Sequence, residues 1–262
     1  MMWTRVTTTA GMSLSQMLVL FLTHSILLFC PVQGPLGLTC DPSLHFDYPC
    51  YASCDVSGDC SYNENSCTFS SCYDDVVFTE TVLYNILDRW CVDTDRIHMS
   101  GASNGGMFIW SRAMERLAGS LASVGPVCSA PLRGYNPLPD TPLSIIDFHG
   151  LNDHTIPFSP ELPTNLGPGP DNTVIANDGW YYHIKMDHLA RIMEHMHCDP
   201  ESTEYPTHMD GSHGWVCSLW SGCDGGKEVV QCNAHYGHDY PFHNRYIEGI
   251  KILWDFMKVH PK

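Results

Sequence analysis

Apolar residues recur every three or four positions in four stretches of the chain, which is the spacing of one face of an α-helix. The first stretch covers 73–90. The second runs from Met107 to Leu117, where the glycine at 119 can end a helix. The third covers 180–197, and the last is the closing segment 244–261. The pattern therefore predicts amphipathic helices in these places.

Short, mostly apolar runs lie between these helices and predict β-strands. They cover 96–100, 121–127, 142–150 and 228–236. The proline- and glycine-rich segment 158–178 predicts a long loop, and the polar segment 200–226 predicts a region held by cysteines. Alternation of strands and helices predicts an α/β fold with a mostly parallel sheet flanked by helices.

The first 37 residues differ from the rest of the chain, because Arg5 is their only charged residue. Their apolar stretch, 17–30, has about the length of the hydrophobic segment of a signal peptide, and small residues follow it. We predict a secretory signal peptide over about 1–37, cleaved between Gln33 and Leu38, and hence a secreted, extracellular protein. An uncleaved membrane anchor is the alternative, which the short apolar segment and His24 disfavour.

The cysteine count also favours export. Of thirteen cysteines, twelve lie beyond the predicted signal peptide, which is an even number. Behind a signal peptide this predicts disulfides formed in an oxidising compartment. Zinc is the rival use of cysteine, but the C-x₂-C spacing does not occur. Half of the twelve crowd into 38–72, which we interpret as a cysteine-rich irregular segment: Cys40, Cys50, Cys54, Cys60, Cys67 and Cys72.

The formal net charge of −16 disfavours nucleic acid as a partner, because such a surface repels phosphate backbones. It is compatible with an acidic, soluble, secreted protein and does not name a substrate.

The stretch GASNGG, residues 101–106, places Ser103 in a G-x-S-x-G pattern between a predicted strand and a predicted helix. In this context the pattern is typical of a hydrolase nucleophile on a sharp turn, with Gly101 and Gly105 leaving room for the backbone. The N–H of Asn104 would then face the oxyanion that develops during the reaction. The alternative is a glycine-rich loop in which the serine is incidental.

A serine nucleophile needs a base, and the base needs an acid that orients it. Asp153 follows a predicted strand, and His238 follows the last predicted strand, so the chain order is Ser, Asp, His. Asp147 is a weaker candidate acid because it lies inside a strand. Rival histidines for the base are His149, His154, His235 and His243.

Three stretches of the sequence resemble the secreted esterases related to feruloyl esterases and polyhydroxybutyrate depolymerases. They are VDTDRIHMSGASNGGMFIW, DFHGLNDHTIPF and WVCSLWSGCDGGKEVVQCNAHYGHDYPF. The closing ILWDFMKVHP is similar to the last helix of that family. The resemblance spans about 71–262, and the cysteine-flanked CSLWSGC and GHDYP segments resemble the feruloyl esterase branch most.

This resemblance implies an α/β-hydrolase domain over 73–262 that hydrolyses carboxylic esters without a cofactor or a metal. Phenolic or acetyl esters on plant cell-wall polysaccharide would be the substrates. Carried over residue by residue, Ser103 would be the nucleophile, Asp153 the acid and His238 the base.

The segment before Ser103 departs from the family pattern. Family members have early strands there and an HG-type loop that supplies a second oxyanion donor, and neither is recognisable in this sequence. We therefore expect a partial domain whose early strands are missing, with an apolar sheet edge exposed beside the nucleophile strand. A truncated copy, a partner that completes the sheet and a non-catalytic relative are the three explanations.

Other functions fit parts of the sequence. A catalytically impaired relative could bind a glycan or a protein, and a polyhydroxyalkanoate depolymerase-like esterase is a third possibility. Metal ligation by HMHC (195–198) or HYGH (235–238) is disfavoured, because neither forms a known ligand set. Several aromatic residues could line a phenolic or sugar pocket, although packing is the more ordinary role: Trp180, Tyr181, Tyr182, Trp215 and Trp220.

Overall fold

A mixed eight-stranded sheet organises the chain. The computed structural model describes residues 75–132, 136–161, 167–169, 172–176, 181–207, 214–238 and 247–262, and the backbone of 18–22 and 25–29. The spatial order of the main sheet is β2-β1-β3-β4-β5-β11-β10-β9, and β6, β7 and β8 form a separate small sheet. The strands are β1 Leu18–Leu22, β2 Ser25–Phe29, β3 His98–Ala102, β4 Ser123–Val127, β5 Ser144–Gly150, β6 Gly167–Pro168, β7 Thr173–Ile175, β8 Tyr181–His183, β9 Thr203–Glu204, β10 Val216–Trp220 and β11 Val229–Ala234.

The centre of the main sheet is parallel, as the strand–helix alternation predicts. Strands β3, β4, β5 and β11 run in the same direction, whereas β1, β2, β9 and β10 pair antiparallel at the two sides. Parallel neighbours need crossover connections, which the helices provide. The predicted α/β fold with a parallel central sheet is therefore confirmed. Because β3, β5 and β11 run in the same direction, their C-terminal ends lie at the same edge of the sheet.

Helices cover both faces of this sheet. The second helix changes from α-helical to π-helical winding and back, and short 3₁₀ turns lie at Ala118–Ser120 and Asp224–Gly226. Apolar residues of α1, α2 and α3 pack on one face, and those of α4 pack on the other. The helices are α1 Asp75–Arg89, α2 Asn104–Phe108 continuing through Ile109–Ala113 to Met114–Arg116, α3 Lys185–His195 and α4 Ile247–Met257.

Two predictions about the segment between β5 and α3 are wrong in part. The predicted loop 158–178 contains strands β6 and β7, and the predicted helix 180–197 begins only at Lys185 because Tyr181–His183 is strand β8. Tyr182 is buried against Val174 in a small cluster, so packing between these strands decides the conformation of a stretch whose apolar spacing also suits a helix.

The apolar stretch that we interpret as a signal peptide lies at the edge of the main sheet. It forms a hairpin of β1 and β2, and β1 pairs antiparallel with β3, with Leu18 opposite Gly101 and Phe21 opposite His98. The expectation that no strand covers the outer edge of β3 is therefore wrong. The unpaired N–H and C=O groups of an edge strand favour such pairing. The signal peptide itself stays a prediction, and the cysteine-rich segment 38–72 lies outside the described residues.

Cysteines form two disulfides among the described residues, Cys198–Cys223 and Cys217–Cys232. The second joins directly opposed residues of β10 and β11, and the first ties the end of α3 to the turn after β10. Cys91 and Cys128 are thiols in this structure. In the part of the chain that the structure describes, no helix has the length and apolar character needed to cross a membrane.

Candidate active site

Ser103 lies in the tight turn that joins β3 to α2. Its φ of 53° and ψ of −120° lie in a region that side-chain-bearing residues rarely adopt and that costs roughly 1–3 kcal/mol. The turn is held on both sides, because the Ser103 N–H donates to the Val127 carbonyl at 3.0 Å and the Ser103 carbonyl accepts from Met107 N–H at 2.9 Å. The surrounding structure thus keeps the hydroxyl at the C-terminal edge of the sheet.

Gly106 allows α2 to pack close to the loop after β4. A Cβ atom on this residue would lie 2.2 Å from the Ser129 Oγ and 2.6 Å from the Ser129 Cβ. The G-x-S-x-G pattern indicated Gly101 and Gly105 as the residues that allow close approach and did not indicate Gly106. The second glycine of the GG pair was the signal that could have identified it.

Asp153 follows β5, and its side chain is fully buried. Its Oδ1 accepts hydrogen bonds from the N–H groups of Thr155 and Ile156, both at 2.9 Å. Its Oδ2 accepts from His238 Nδ1 at 2.8 Å. Each oxygen therefore has its own partners, which fixes the orientation of the carboxylate.

His238 lies in the loop after β11, next to the Asp153 loop. Leu151 N–H donates to the Ala234 carbonyl at 2.9 Å, and Asn152 N–H donates to the Tyr236 carbonyl at 3.0 Å. Gly150 permits this approach, since a Cβ there would lie 2.4 Å from the Tyr236 carbonyl oxygen. No sequence pattern indicated a role for this glycine, although it ends the predicted strand.

A continuous chain of hydrogen bonds links the three predicted residues. Ser103 Oγ lies 2.9 Å from His238 Nε2, and His238 Nδ1 lies 2.8 Å from Asp153 Oδ2. An ionised carboxylate only accepts, so the imidazole proton belongs on Nδ1 and Nε2 is free to accept the serine proton. The structure thus brings together residues that lie 135 and 85 positions apart in the sequence.

The electrostatics keep Asp153 ionised. Burial by itself would raise the pKa of this carboxyl, but hydrogen bonds from His149 and His238 outweigh burial and hold the pKa well below its usual value. Burial raises the pKa of the neighbouring Cys128 and Tyr236, so both remain protonated and neutral near pH 7. An ionised acid beside a half-buried histidine is the arrangement that stabilises an imidazolium ion.

The rival candidates lie elsewhere. Asp147 is fully buried on β5 and pairs with Lys185 Nζ at 2.7 Å, so it is not the partner of His238. His154 and His235 are exposed, and His243 lies outside the described residues. His149 reaches Asp153 rather than Ser103, with its Nε2 at 3.5 Å from Asp153 Oδ2.

Asn104 is the first residue of α2 and follows Ser103 directly. The first N–H groups of a helix have no acceptor within the helix, so the Asn104 N–H is available to a ligand at this end. The prediction that a second oxyanion donor is missing concerns the residues before Ser103, most of which lie outside the described residues, and it stays a prediction.

Within the described ranges, no cluster of three or more histidine, cysteine or acidic residues has the geometry to hold a metal ion. In the HMHC segment, His195 contacts the Pro139 carbonyl, His197 pairs with Asp224, and Cys198 is in a disulfide.

Of the aromatic residues, Tyr182 and Trp215 are buried in hydrophobic clusters. Trp215 packs edge-on against Phe148 and Tyr236. Tyr181 and Trp220 are half-buried, and Trp180 lies outside the described residues. Packing therefore accounts for the two buried rings.

Comparison with known proteins shows similarity to esterases. The chain is 24% identical over 189 residues to feruloyl esterase B of Piromyces equi, covering 71% of this chain and 31% of that protein. It is 30% identical over 186 residues to the bifunctional acetylxylan esterase/xylanase XynS20E of Neocallimastix patriciarum, covering 70% of this chain and 23% of that protein. It is 26% identical over 166 residues to the probable feruloyl esterase C of Aspergillus niger, covering 63% and 50%.

These similarities support the esterase side of the resemblance. The chain spans a quarter to a half of the length of these curated relatives. No protein-family model matches the chain. The polyhydroxybutyrate depolymerase part of the resemblance stays a prediction.

Proposed function

We propose that this protein is a serine carboxylic-ester hydrolase, with Ser103 as nucleophile, His238 as general base and Asp153 as the acid that orients His238. The observation that carries the proposal is the unbroken chain of hydrogen bonds from Ser103 Oγ through the imidazole to a buried carboxylate. The strained turn at Ser103 supports it, because such conformations persist where the structure holds a reactive group in place.

The geometry supports a two-step acyl transfer. His238 Nε2 takes the proton of Ser103 as its oxygen attacks the ester carbonyl, and the Asn104 N–H stabilises the oxyanion. His238 then protonates the leaving alkoxide, which departs as the alcohol and leaves an acyl group on Ser103. Water attacks the acyl-enzyme in the second step with His238 again as base, and this releases the carboxylic acid and restores the serine.

Phenolic or acetyl esters on plant cell-wall polysaccharide are the proposed substrates. The names of the relatives support this class, since they are feruloyl esterases and an acetylxylan esterase. We place the protein outside the cell, where such polymers occur. The two disulfides are compatible with an oxidising compartment.

Hydrolysis of a p-nitrophenyl acetate solution tests the reaction class. We expect the purified protein to release p-nitrophenol and Ser103→Ala to reduce the rate to background, because no other hydroxyl replaces the nucleophile. Ser111→Ala is the matched control, since that serine lies on the same helix and its hydroxyl donates to carbonyls of that helix, Met107 at 2.8 Å and Phe108 at 3.4 Å. Equal rates for wild type and Ser103→Ala would refute the proposal.

A substrate panel then tests the ester class. Methyl ferulate, acetylated xylan and hydroxybutyrate oligomers are compared at equal enzyme concentration. Turnover of methyl ferulate or acetylated xylan above the oligomers supports the plant-ester proposal. Preference for the oligomers would favour the depolymerase-like alternative.

A further inference from the structure

His149 is a fully buried histidine on β5 that the proposed acyl transfer does not use. It lies four residues before Asp153, on the strand that leads into the loop that carries the acid. Its Nε2 lies 2.9 Å from the Ile156 carbonyl oxygen and 3.5 Å from Asp153 Oδ2. Because a carbonyl only accepts, Nε2 carries a proton and donates it to Ile156. Phe158 packs against the ring with centroids 5.5 Å apart.

The Ile156 residue connects this histidine to the acid. Its N–H donates to Asp153 Oδ1 at 2.9 Å, while its carbonyl accepts from His149. Ile156, the last residue of the turn 153–156, is thus bonded both to the carboxylate and to a side chain of the rigid strand β5. A catalytic group on a loop keeps its position only if the loop is anchored to a rigid element.

We infer that His149 is a positioning residue, which anchors the turn 153–156 so that Asp153 Oδ2 stays in line with His238 Nδ1. This inference rests on the proposed function for its kinetic consequence. Its structural content, the alignment of the carboxylate with His238, does not depend on which ester is cleaved.

Asp147 and Lys185 do not carry out this anchoring. They pair with each other at 2.7 Å, and Lys185 also donates to the Ser129 carbonyl. Their contacts therefore join β5 to α3 and the loop after β4, whereas the His149 contacts reach the acid loop. Asp147 and His149, which lie two residues apart on β5, therefore have separate partners.

Two substitutions at His149, with side chains of similar length, separate the effect of the hydrogen bond from the effect of packing. His149→Gln keeps an N–H at the end of the side chain, within reach of the Ile156 carbonyl, and His149→Met has nearly the same shape without a donor. We expect His149→Met to lower kcat about 10- to 100-fold with little change in KM, as small displacements of catalytic groups do. His149→Gln should retain most of the wild-type kcat.

His188→Met is the control for loss of a buried histidine. His188 is also buried, but its ring packs on Trp110 in α2 and it is not in the acid loop. We expect this variant to change the unfolding temperature and to leave kcat within about twofold, because it moves no catalytic group. An equal loss of kcat in the His149 and His188 methionine variants would overturn the inference.

Proton NMR gives a readout that needs no substrate. An imidazole N–H bonded to a buried carboxylate resonates far downfield, so the His238 Nδ1 proton reports its contact with Asp153. We expect the resonance to persist in His149→Gln and His188→Met and to shift or broaden in His149→Met. An unchanged resonance in His149→Met would overturn the inference, whereas failure of Ser103→Ala to change ester hydrolysis would refute only the proposed function.

Discussion

Asp153 shows how the environment of a single residue decides its chemistry. Its Oδ1 is occupied by two backbone N–H groups, and its Oδ2 faces His238. Asp147, which lies within β5, has Lys185 as its partner instead. Asp153 was the preferred acid in the sequence because it follows a strand, and the structure gives the physical reason, since the loop after β5 lies against the loop that carries His238.

Asp153→Asn should therefore remove catalysis without unfolding the protein. The backbone N–H groups retain the amide oxygen, so the amide NH₂ faces His238 and favours the tautomer with its proton on Nε2. That tautomer cannot accept the serine proton, and we expect kcat to fall about 10³- to 10⁴-fold. Steady-state hydrolysis of p-nitrophenyl acetate measures this.

Asp88→Asn, an exposed change on α1, is the control for the amide substitution and should keep the wild-type kcat. A kcat for Asp153→Asn within tenfold of wild type would show that His238 does not depend on this carboxylate.

At the scale of the element, α2 owes its place to a glycine rather than to a hydrophobic stripe alone. Periodicity predicted the helix, and the Met107–Leu117 stripe is buried as expected. Its close approach to the loop after β4 depends on Gly106, which periodicity does not reveal. By contrast, periodicity fails at β8. Tyr181–His183 belongs to the stretch 180–197, whose apolar spacing fits a helix, and yet it pairs with β7 as a strand.

Gly106→Ala should displace α2 and with it the Ser103 turn. The new Cβ would lie 2.2 Å from Ser129 Oγ, so one of the two must move. We expect lower esterase activity and a loss of about 1–3 kcal/mol of unfolding free energy, as overpacking typically costs. Urea unfolding and ester hydrolysis measure the two effects.

A double variant tests the stated cause. Ser129→Gly removes the two atoms that lie closest to the new Cβ. The double variant Gly106→Ala/Ser129→Gly should therefore have a higher unfolding free energy than the sum of the two single effects predicts. Gly119→Ala is the matched control, since its Cβ would meet nothing closer than Thr141 Oγ1 at 3.9 Å. If the changes in unfolding free energy of the two single variants simply add in the double variant, the clash with Ser129 is not the cause of the destabilisation.

At the scale of the whole molecule, the role predicted for the first residues is incompatible with their place in the structure. As a signal peptide they would be removed, and as β1 and β2 they cover the edge of the strand that leads to Ser103. Both roles follow from the same composition, because an apolar run free of charges suits a signal sequence and also an edge strand that needs a partner.

Removal of residues 1–37 should therefore destabilise the protein if nothing else occupies that edge. Each backbone hydrogen bond contributes about 0.5–1.5 kcal/mol, and β1 pairs with β3 over four residue positions, so we expect a loss of roughly 2 kcal/mol or more. Urea unfolding of this variant is compared with that of a variant lacking only 1–17. Equal midpoints would show that β1 and β2 add nothing to the fold, and N-terminal sequencing of the exported protein tells which form exists.

The sequence by itself determined the helices of the core, the parallel strands at the centre of the sheet, and the order Ser103, Asp153, His238, because these depend on neighbouring residues and local spacing. Only the tertiary structure decided which acid meets which histidine, why Gly106 and Gly150 are glycines, and that His149 anchors the acid loop. The physical reason is distance along the chain, since the contacts of His238 join residues 85 and 135 positions apart and no local pattern encodes such pairs.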